Sequence, residues 1–389
     1  MSEPTDLFDA SAYAQVRRPL LEASNLPGRC YTSARWYARE MAAIFRVDWL
    51  FVGRVEQVAK PGDFFTLQIA DEPIVVVRDL AGQIRAHLAI CRHRGALVAD
   101  GSGNCNTFSC PYHGWVYRLT GELIGTPGRQ RPMEAAVGFD RRQHGLISIR
   151  IESWGGFLFV NFDPDAPPLR EWLGDLPSRL ANYRMEDLVC TRAVTHDIDC
   201  NWKVYVENAT DEYHVEFLHR RHMSPDNPNL VIAETPGGPY TLRHNPHSIT
   251  APADGPLPGI PGLTGKQLVG AYSALLFPNL YLMLSPTVVK YLIMHPLAVE
   301  QCRITIAWCF PKAAIEAPGF EEIARERYYG LTDPVVGEDN SITPSVQRGL
   351  RSPSRPSGRF SVQEYGIHAF ENYVLDRILA VEPETAASR

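Results

Sequence analysis

The sequence predicts an α+β chain in which a small all-β domain is inserted in a larger domain of helices and long strands. Three observations predict it. From Trp49 to about Arg150 the chain reads as short apolar runs separated by turn signals. Beyond Trp154, stretches of helical period alternate with longer strand-like runs. Cysteines and histidines stand in pairs beside turn residues of the β region, and histidines recur on one helical stretch further on.

Residues 1–46 read as an N-terminal helical arm packing on the larger domain, with apolar residues at helical spacing over Ala34–Phe45. Residues 47–155 read as the β domain. Its runs Phe64–Ala70, Pro73–Arg78, Ile84–Ile90, Trp115–Leu119 and Ile147–Ile151 are separated by Pro61-Gly62-Asp63, Asp79–Gly82, Asp100–Gly103 and Thr120-Gly121. Residues 156–389 form the larger domain. Helices are expected over Leu169–Tyr183 and Trp202–Leu218, and strands over Ser273–Met283, Thr287–Met294 and Cys302–Phe310. A polar Pro/Ser-rich stretch runs from Thr332 to Gly358, and a last helix covers Val362–Leu379.

A chain of 389 residues is long enough for two cores, and 45% apolar with 21% charged residues is the usual balance of a soluble globular protein. A net charge of −6 offers no basic surface for a nucleic acid. There is no apolar run of membrane-spanning length, and the first residues lack the basic-then-apolar order of a secretory leader, so the expected compartment is the cytoplasm. Eight cysteines in such a chain are not expected to form a disulfide framework, and Cys105 reads as structural.

Cys91-x-His93 is followed, sixteen residues on, by Cys110-x-x-His113. A [2Fe–2S] cluster of Rieske type needs two thiolates on one iron and two imidazoles on the other, and two tight loops each offering one Cys and one His supply that set. The competing reading is tetrahedral zinc, but zinc sites favour two cysteines on one element and two histidines on another. His87, inside a strand, reads as a packed histidine.

Residues 201–219 read NWKVYVENATDEYHVEFLH and bring Asp211, His214 and His219 within nine residues, with His222 a competing donor. Positions 214 and 219 do not align on a regular helix, so a widening or a helix end is implied. Two histidines and one carboxylate are the donor set of non-haem ferrous oxygenases, which leaves positions open for O₂. No Gly-x-Gly-x-x-Gly follows a strand, so nicotinamide and flavin chemistry is expected on a partner.

CRHRG…CPYHGWVYRLTGEL, with the NWK…EN-x-x-D-x-YH-x₄-H segment, resembles the α (large, catalytic) subunits of Rieske-type ring-hydroxylating oxygenases, and the likeness covers roughly residues 30–380. It is similar also to the choline and carnitine oxygenase branch, although position 211 is Asp here where that branch often has Glu. The resemblance implies a helix-grip catalytic domain after the Rieske domain. It implies His214 and His219 as iron ligands, with Asp339 as the carboxylate and Glu338 and Asp333 as its neighbours in sequence. It implies a ferredoxin or flavin-containing NAD(P)H reductase as electron donor. It also implies a homotrimer in which Asp211 bridges His214 to His113 of the partner subunit.

The expected activity is hydroxylation of a small organic substrate, an aromatic one first. The alternatives are oxidation beside nitrogen in a quaternary ammonium or N-methyl compound, and a Rieske electron carrier without oxygenase activity. Tyr205, Tyr213, Phe217, Tyr281 and Trp308 are the aromatics available to a cation cage.

Overall fold

The computed structural model describes residues 6–69, 71–129, 133–222, 231–247 and 255–380, in two compact units. Ala70, expected to close a strand, lies outside the described residues.

One unit spans Arg46–Leu169. Its strands are β1 (Leu50–Arg54), β2 (Asp63–Ile69), β3 (Glu72–Arg78), β4 (Ile84–Leu88), β5 (Ser102–Asn104), β6 (Thr107–Ser109), β7 (Val116–Arg118), β8 (Leu123–Gly125), β9 (Ser148–Trp154) and β10 (Phe157–Asn161). Seven of them form an antiparallel sheet in the order β1-β10-β9-β4-β3-β2-β5, and β6-β7-β8 form a second, smaller sheet. The unit runs past the boundary expected at residue 155. The reason is register: residues 155 and 156 are the turn of a hairpin in which Phe157 faces Trp154 and Asn161 faces Arg150. A boundary there would cut a paired strand from its partner. The core gathers Val75, Val77, Phe108, Trp115, Tyr117 and Leu119 around Cys91 and Cys110.

The other unit comprises residues 1–45 and 170–389. Its main elements are α1 (Ala34–Glu40), β11 (Leu188–Ile198), α2 (Trp202–Thr210), α3 (Val215–Leu218), β12 (Ile232–Glu234), β13 (Tyr240–Asn245), β14 (Ala271–Leu276), β15 (Leu280–Leu284), β16 (Val289–Ala298), β17 (Gln301–Pro311), α4 (Gly330–Leu350) and α5 (Tyr365–Ala380). The strands form one antiparallel sheet, β11-β17-β16-β15-β14-β13-β12. α2 and α4 carry side chains that meet those of the sheet around a common cavity.

Four expectations differ from this arrangement. The helix expected over Leu169–Tyr183 is broken into short turns, because Gly174 takes φ +60 where a Cβ would meet the Gly237 carbonyl. The helix expected over Trp202–Leu218 stops at Asp211, whose backbone turns extended and whose Oδ1 accepts from the Tyr213 amide at 2.7 Å. The strand expected over Ser273–Met283 is β14 and β15 joined by a turn at 277–279. The Pro/Ser-rich stretch from Thr332 is α4, with Pro334 and Pro344 inside it. Its composition hid a buried stripe at helical spacing: Thr332, Val336, Thr343, Gln347 and Leu350.

Candidate functional site

The first donor set stands on two loops of the same construction. Cys91 N–H donates to the Ala96 carbonyl and Gly95 N–H to the Cys91 carbonyl; Cys110 N–H donates to the Trp115 carbonyl and Gly114 N–H to the Cys110 carbonyl. Gly95 and Gly114 both hold positive φ, 77° and 69°, which closes each loop and which residues with a Cβ rarely adopt. Each loop thus offers its cysteine from the core side and its histidine from the tip. Both cysteines are 3% exposed. The two imidazole rings lie 4.6 Å apart, and His93 stacks on Trp115 with centroids 4.8 Å apart.

His93 Nδ1 is buried and has no hydrogen-bond partner among the described residues. A buried lone pair left open costs free energy unless something ligates it. The arrangement therefore fits a Rieske cluster, and it does not bring the four donors to one point as zinc would require. Sequence reasoning passed over Tyr117. Its hydroxyl accepts from the Arg92 amide at 3.0 Å and lies 3.3 Å from Cys91 Sγ. The signal was present, since an aromatic in the strand leaving one cysteine loop can reach back to the other. His87 is packed as expected, its Nε2 3.0 Å from the Leu119 carbonyl. None of the eight cysteines is paired in a disulfide, and Cys105 packs against this core.

The second donor set is built by a helix break. Because α2 ends at Asp211, His214 and His219 flank the single turn of α3 and aim at the same point, with their Nε2 atoms 3.1 Å apart. Asp339, on α4, brings Oδ1 to 3.5 Å from His214 Nε2 and 3.2 Å from His219 Nε2. Among the described residues these three are the set whose donor atoms lie within 4.8 Å of one another. Ligands at right angles on a metal with bonds of roughly 2.1 Å are about 3.0 Å apart, so the set fits one face of an octahedral ion.

Electrostatics agree with a cation between them. Burial alone would lower the pKa of His214, but Asp211 and Asp339 raise it to about 9. Burial likewise opposes protonation of His219, and Asp339 and Glu338 raise its pKa above the usual histidine value. Burial works against ionisation of Asp339, yet the two imidazoles hold its pKa below the usual carboxylate value. A cation held between them would take the place of those protons, so its binding would be coupled to pH.

The remaining predicted residues fall into distinct places. Asp211 Oδ2 lies 3.1 Å from His214 Nδ1, so Asp211 pairs with an imidazole at a helix end and is no free helix-surface residue. Glu338 does not face the donor point; its Oε2 is 2.8 Å from His219 Nδ1, and Oε1 is 3.5 Å from His222 Nε2. His222 meets that carboxylate instead of the donor point. Asp333 is held in a two-pronged pair by Arg192.

The cavity beside the second set has a volume of about 1000 Å³ with its mouth included. Val215, Met283, Leu292, Ile306, Val335 and Val336 give it an apolar wall. Glu212 is paired with Arg243 at 2.6 Å, and Lys290 also lines the cavity. Of the five aromatics considered for a cage, Tyr205 and Tyr281 line it. Tyr213 and Phe217 are 49% and 67% exposed, and Trp308 is buried beneath Arg192.

Comparison with known proteins decides the family. The profile described as Ring hydroxylating alpha subunit (catalytic domain) matches residues 185–380, and that of the Rieske [2Fe-2S] domain matches residues 48–144. The chain belongs to the Rieske ring-hydroxylating oxygenase α-subunit family. It is a non-haem iron oxygenase, the terminal component that carries a Rieske cluster and a mononuclear iron.

Among relatives of this α subunit, chloroplastic choline monooxygenase of Arabidopsis thaliana is 29% identical over 94% of this chain and 87% of its own. The glycine betaine monooxygenase oxygenase subunit of Chromohalobacter salexigens is 28% identical over 95% and 89%. The quaternary ammonium Rieske monooxygenase CntA in complex with L-carnitine superposes with a TM-score of 0.76 at 25% identity, over 91% of this chain and 96% of that one. No helix among the described residues is long and apolar enough to cross a membrane.

Proposed function

We propose that this α subunit oxidises a C–H bond beside nitrogen in a quaternary ammonium or N-methyl compound, with electrons supplied by a separate NAD(P)H reductase or ferredoxin. The observation that carries the oxygenase chemistry is the convergence of His214, His219 and Asp339 at an apolar cavity. Likeness to choline and glycine betaine monooxygenases over nearly the whole chain supports the substrate class. A second reading, hydroxylation of an aromatic compound, is favoured by the apolar wall, because its branched side chains would fit a ring and the aromatics do not close into a cage.

In this proposal Cys91, His93, Cys110 and His113 hold the cluster, and His214, His219 and Asp339 hold the iron. When bound, the cluster would supply single electrons and the iron a site for O₂ reduction beside the substrate. The chain's own residues do the rest. Tyr117 donates to the Cys91 thiolate, Glu338 keeps His219 in the tautomer that presents Nε2, and the apolar wall keeps water from the reacting carbon. Asp211 accepts from His214 Nδ1 on its own chain and from His113 of the partner subunit, which joins the cluster of one subunit to the iron of the next in a trimer.

The purified protein is expected to be red-brown, with three irons per chain; zinc without visible absorbance would refute the assignment. With a generic reductase, NADH-dependent O₂ consumption and product formation are measured on choline, glycine betaine, carnitine, benzoate and anthranilate. Oxidation of the nitrogen compounds supports the proposal. Oxidation confined to the two benzoic acids moves the assignment to the aromatic reading.

A further inference from the structure

A helix ends on carbonyls that have no partner within it. At the end of α2 the Asp211 amide returns to the Glu207 and Asn208 carbonyls, at 2.9 and 3.3 Å, which leaves those of Ala209 and Thr210. Arg243, on β13, meets them. Its Nη1 donates to the Thr210 carbonyl, and its Nη2 lies 3.5 Å from the Ala209 carbonyl. A cation is favoured there, since the carbonyl end of a helix is its negative end. The same Nη2 is 2.6 Å from Glu212 Oε1 and donates to the Tyr281 hydroxyl. The guanidinium therefore holds the chain on both sides of Asp211, whose Oδ2 lies 3.1 Å from His214 Nδ1.

This clamp is built into the interior, with Arg243 and Thr210 both buried. α5 passes over the contact at Gly366, where a Cβ would come to 3.4 Å from Thr210 Cβ and 3.8 Å from Arg243 Nη1. Tyr365, one residue earlier, donates to the Leu242 carbonyl at 3.1 Å and so ties α5 to the strand that carries Arg243. Taking an arginine and a glutamate out of water is not in itself a route to stability, because apolar residues of similar volume often do as well or better. What a planar guanidinium adds is direction: several donors in one rigid fork. Direction matters at this point of the chain. α2 has to stop at Asp211 for His214 and His219 to aim at one place.

We propose that Arg243 is a positioning residue for the mononuclear iron: it fixes the break after α2 so that Asp211 meets His214 Nδ1 and His214 Nε2 meets the metal point. The inference rests on the reading of His214, His219 and Asp339 as iron ligands and adds a residue that acts through the chain around them. Without the clamp the segment from Asp211 to His214 settles in several orientations, and iron is held less tightly and in more than one geometry.

The test compares variants of the full chain, each loaded with iron. Arg243→Gln removes the charge and the fork. Arg243→Met combined with Glu212→Gln removes both charges of the pair, so that no buried carboxylate is stranded. Leu282→Ala is the control for lost stability: Leu282 is buried on the face of β15 opposite to Tyr281 and Met283, which line the cavity. Mononuclear iron is followed by its loss to a chelator and by EPR of the ferrous site with nitric oxide as the probe, and the cluster by its visible spectrum. Both Arg243 variants are expected to keep the cluster, to lose mononuclear iron about ten-fold to a hundred-fold faster than the native protein, and to give a broadened nitric oxide signal of several components. Leu282→Ala is expected to melt at a lower temperature and yet to match the native iron retention and signal. Native retention and a native signal in the double variant, or equal iron loss in Leu282→Ala, overturns the positioning role. Should Arg243→Gln not fold, the double variant decides; if neither folds, Arg243 serves the fold alone and the proposal fails. Iron retained by His214→Ala would instead remove the ligand reading on which the proposal rests.

Discussion

At the scale of single residues, the metal points depend on hydrogen bonds one step away from the donors. Glu338 holds His219 Nδ1 at 2.8 Å and so fixes which nitrogen faces Asp339. Carboxylates in this position typically contribute 10–100-fold to metal affinity. Glu338→Gln is therefore expected to leave the cluster spectrum intact and to lose mononuclear iron to a chelator about 10–100-fold more readily. Iron retention equal to the native protein would show that Glu338 does not position His219. His222→Ala is expected to retain its iron, because among the described residues the His222 ring meets the far oxygen of that carboxylate and not the donor point. At the other centre, Tyr117→Phe removes the hydroxyl 3.3 Å from Cys91 Sγ, which can donate to that sulfur once it is a cluster thiolate. A hydrogen bond to a thiolate stabilises the electron-rich reduced cluster, so the reduction potential is expected to fall. A bond of about 1 kcal/mol corresponds to ~40 mV for a one-electron couple, readable by spectroelectrochemical titration. An unchanged potential would mean that the hydroxyl does not donate to the sulfur.

At the scale of elements, the catalytic unit is tied together by polar groups buried between helices. Glu40, at the end of α1, accepts from Trp36 Nε1 at 2.9 Å and from Trp202 Nε1 at 3.0 Å, and pairs with Lys203 Nζ. Glu40 and Lys203 are fully buried. Burial pushes the Glu40 pKa up, and Lys203 and the two indoles pull against that rise. The pair clamps the N-terminal arm onto α2, the helix whose end at Asp211 sets the direction of His214. Removing one partner strands a buried charge, so Glu40→Ala is expected to cost about 3–5 kcal/mol in denaturant unfolding. Mononuclear iron should be lost earlier in that transition than the cluster colour, since α2 belongs to the unit that Glu40 ties together. Loss of less than about 1 kcal/mol would mean that water enters and solvates Lys203.

At the scale of the whole molecule, the proposed bridge through Asp211 makes the oligomer part of the catalyst. Co-expressed subunits bearing His113→Ala and His214→Ala separate the two readings. Each homogeneous protein is expected to be inactive, one lacking the cluster and the other the iron. Mixed oligomers place an intact cluster beside an intact iron at some interfaces and are expected to recover a measurable fraction of native turnover. Mixed oligomers without activity would place electron transfer within one chain. Asp211→Asn is expected to keep both centres loaded and the cluster reducible, while product formation nearly stops.

The two donor sets differ in how far the chain alone reveals them. The Rieske loops are legible because ligation there is local: each cysteine and its histidine stand within three residues on one tight loop, closed by Gly95 or Gly114. His214 and His219 are legible for the same reason, although the break at Asp211 that aims them is not written in their spacing. The carboxylate was a choice among Asp333, Glu338 and Asp339, which a list of residue types leaves equal. Rotation of α4 separates them: neighbours on a helix point about 100° apart, and six positions amount to roughly 120°. Asp339 thus meets the two Nε2 atoms, Glu338 meets His219 from behind, and Asp333 meets Arg192. Lys290 is the plainest case of what folding alone supplies. Its letter marks a charge inside an apolar run, but only the register of β15, β16 and β17 turns that charge toward the cavity, because strand pairing is settled between segments far apart in the chain.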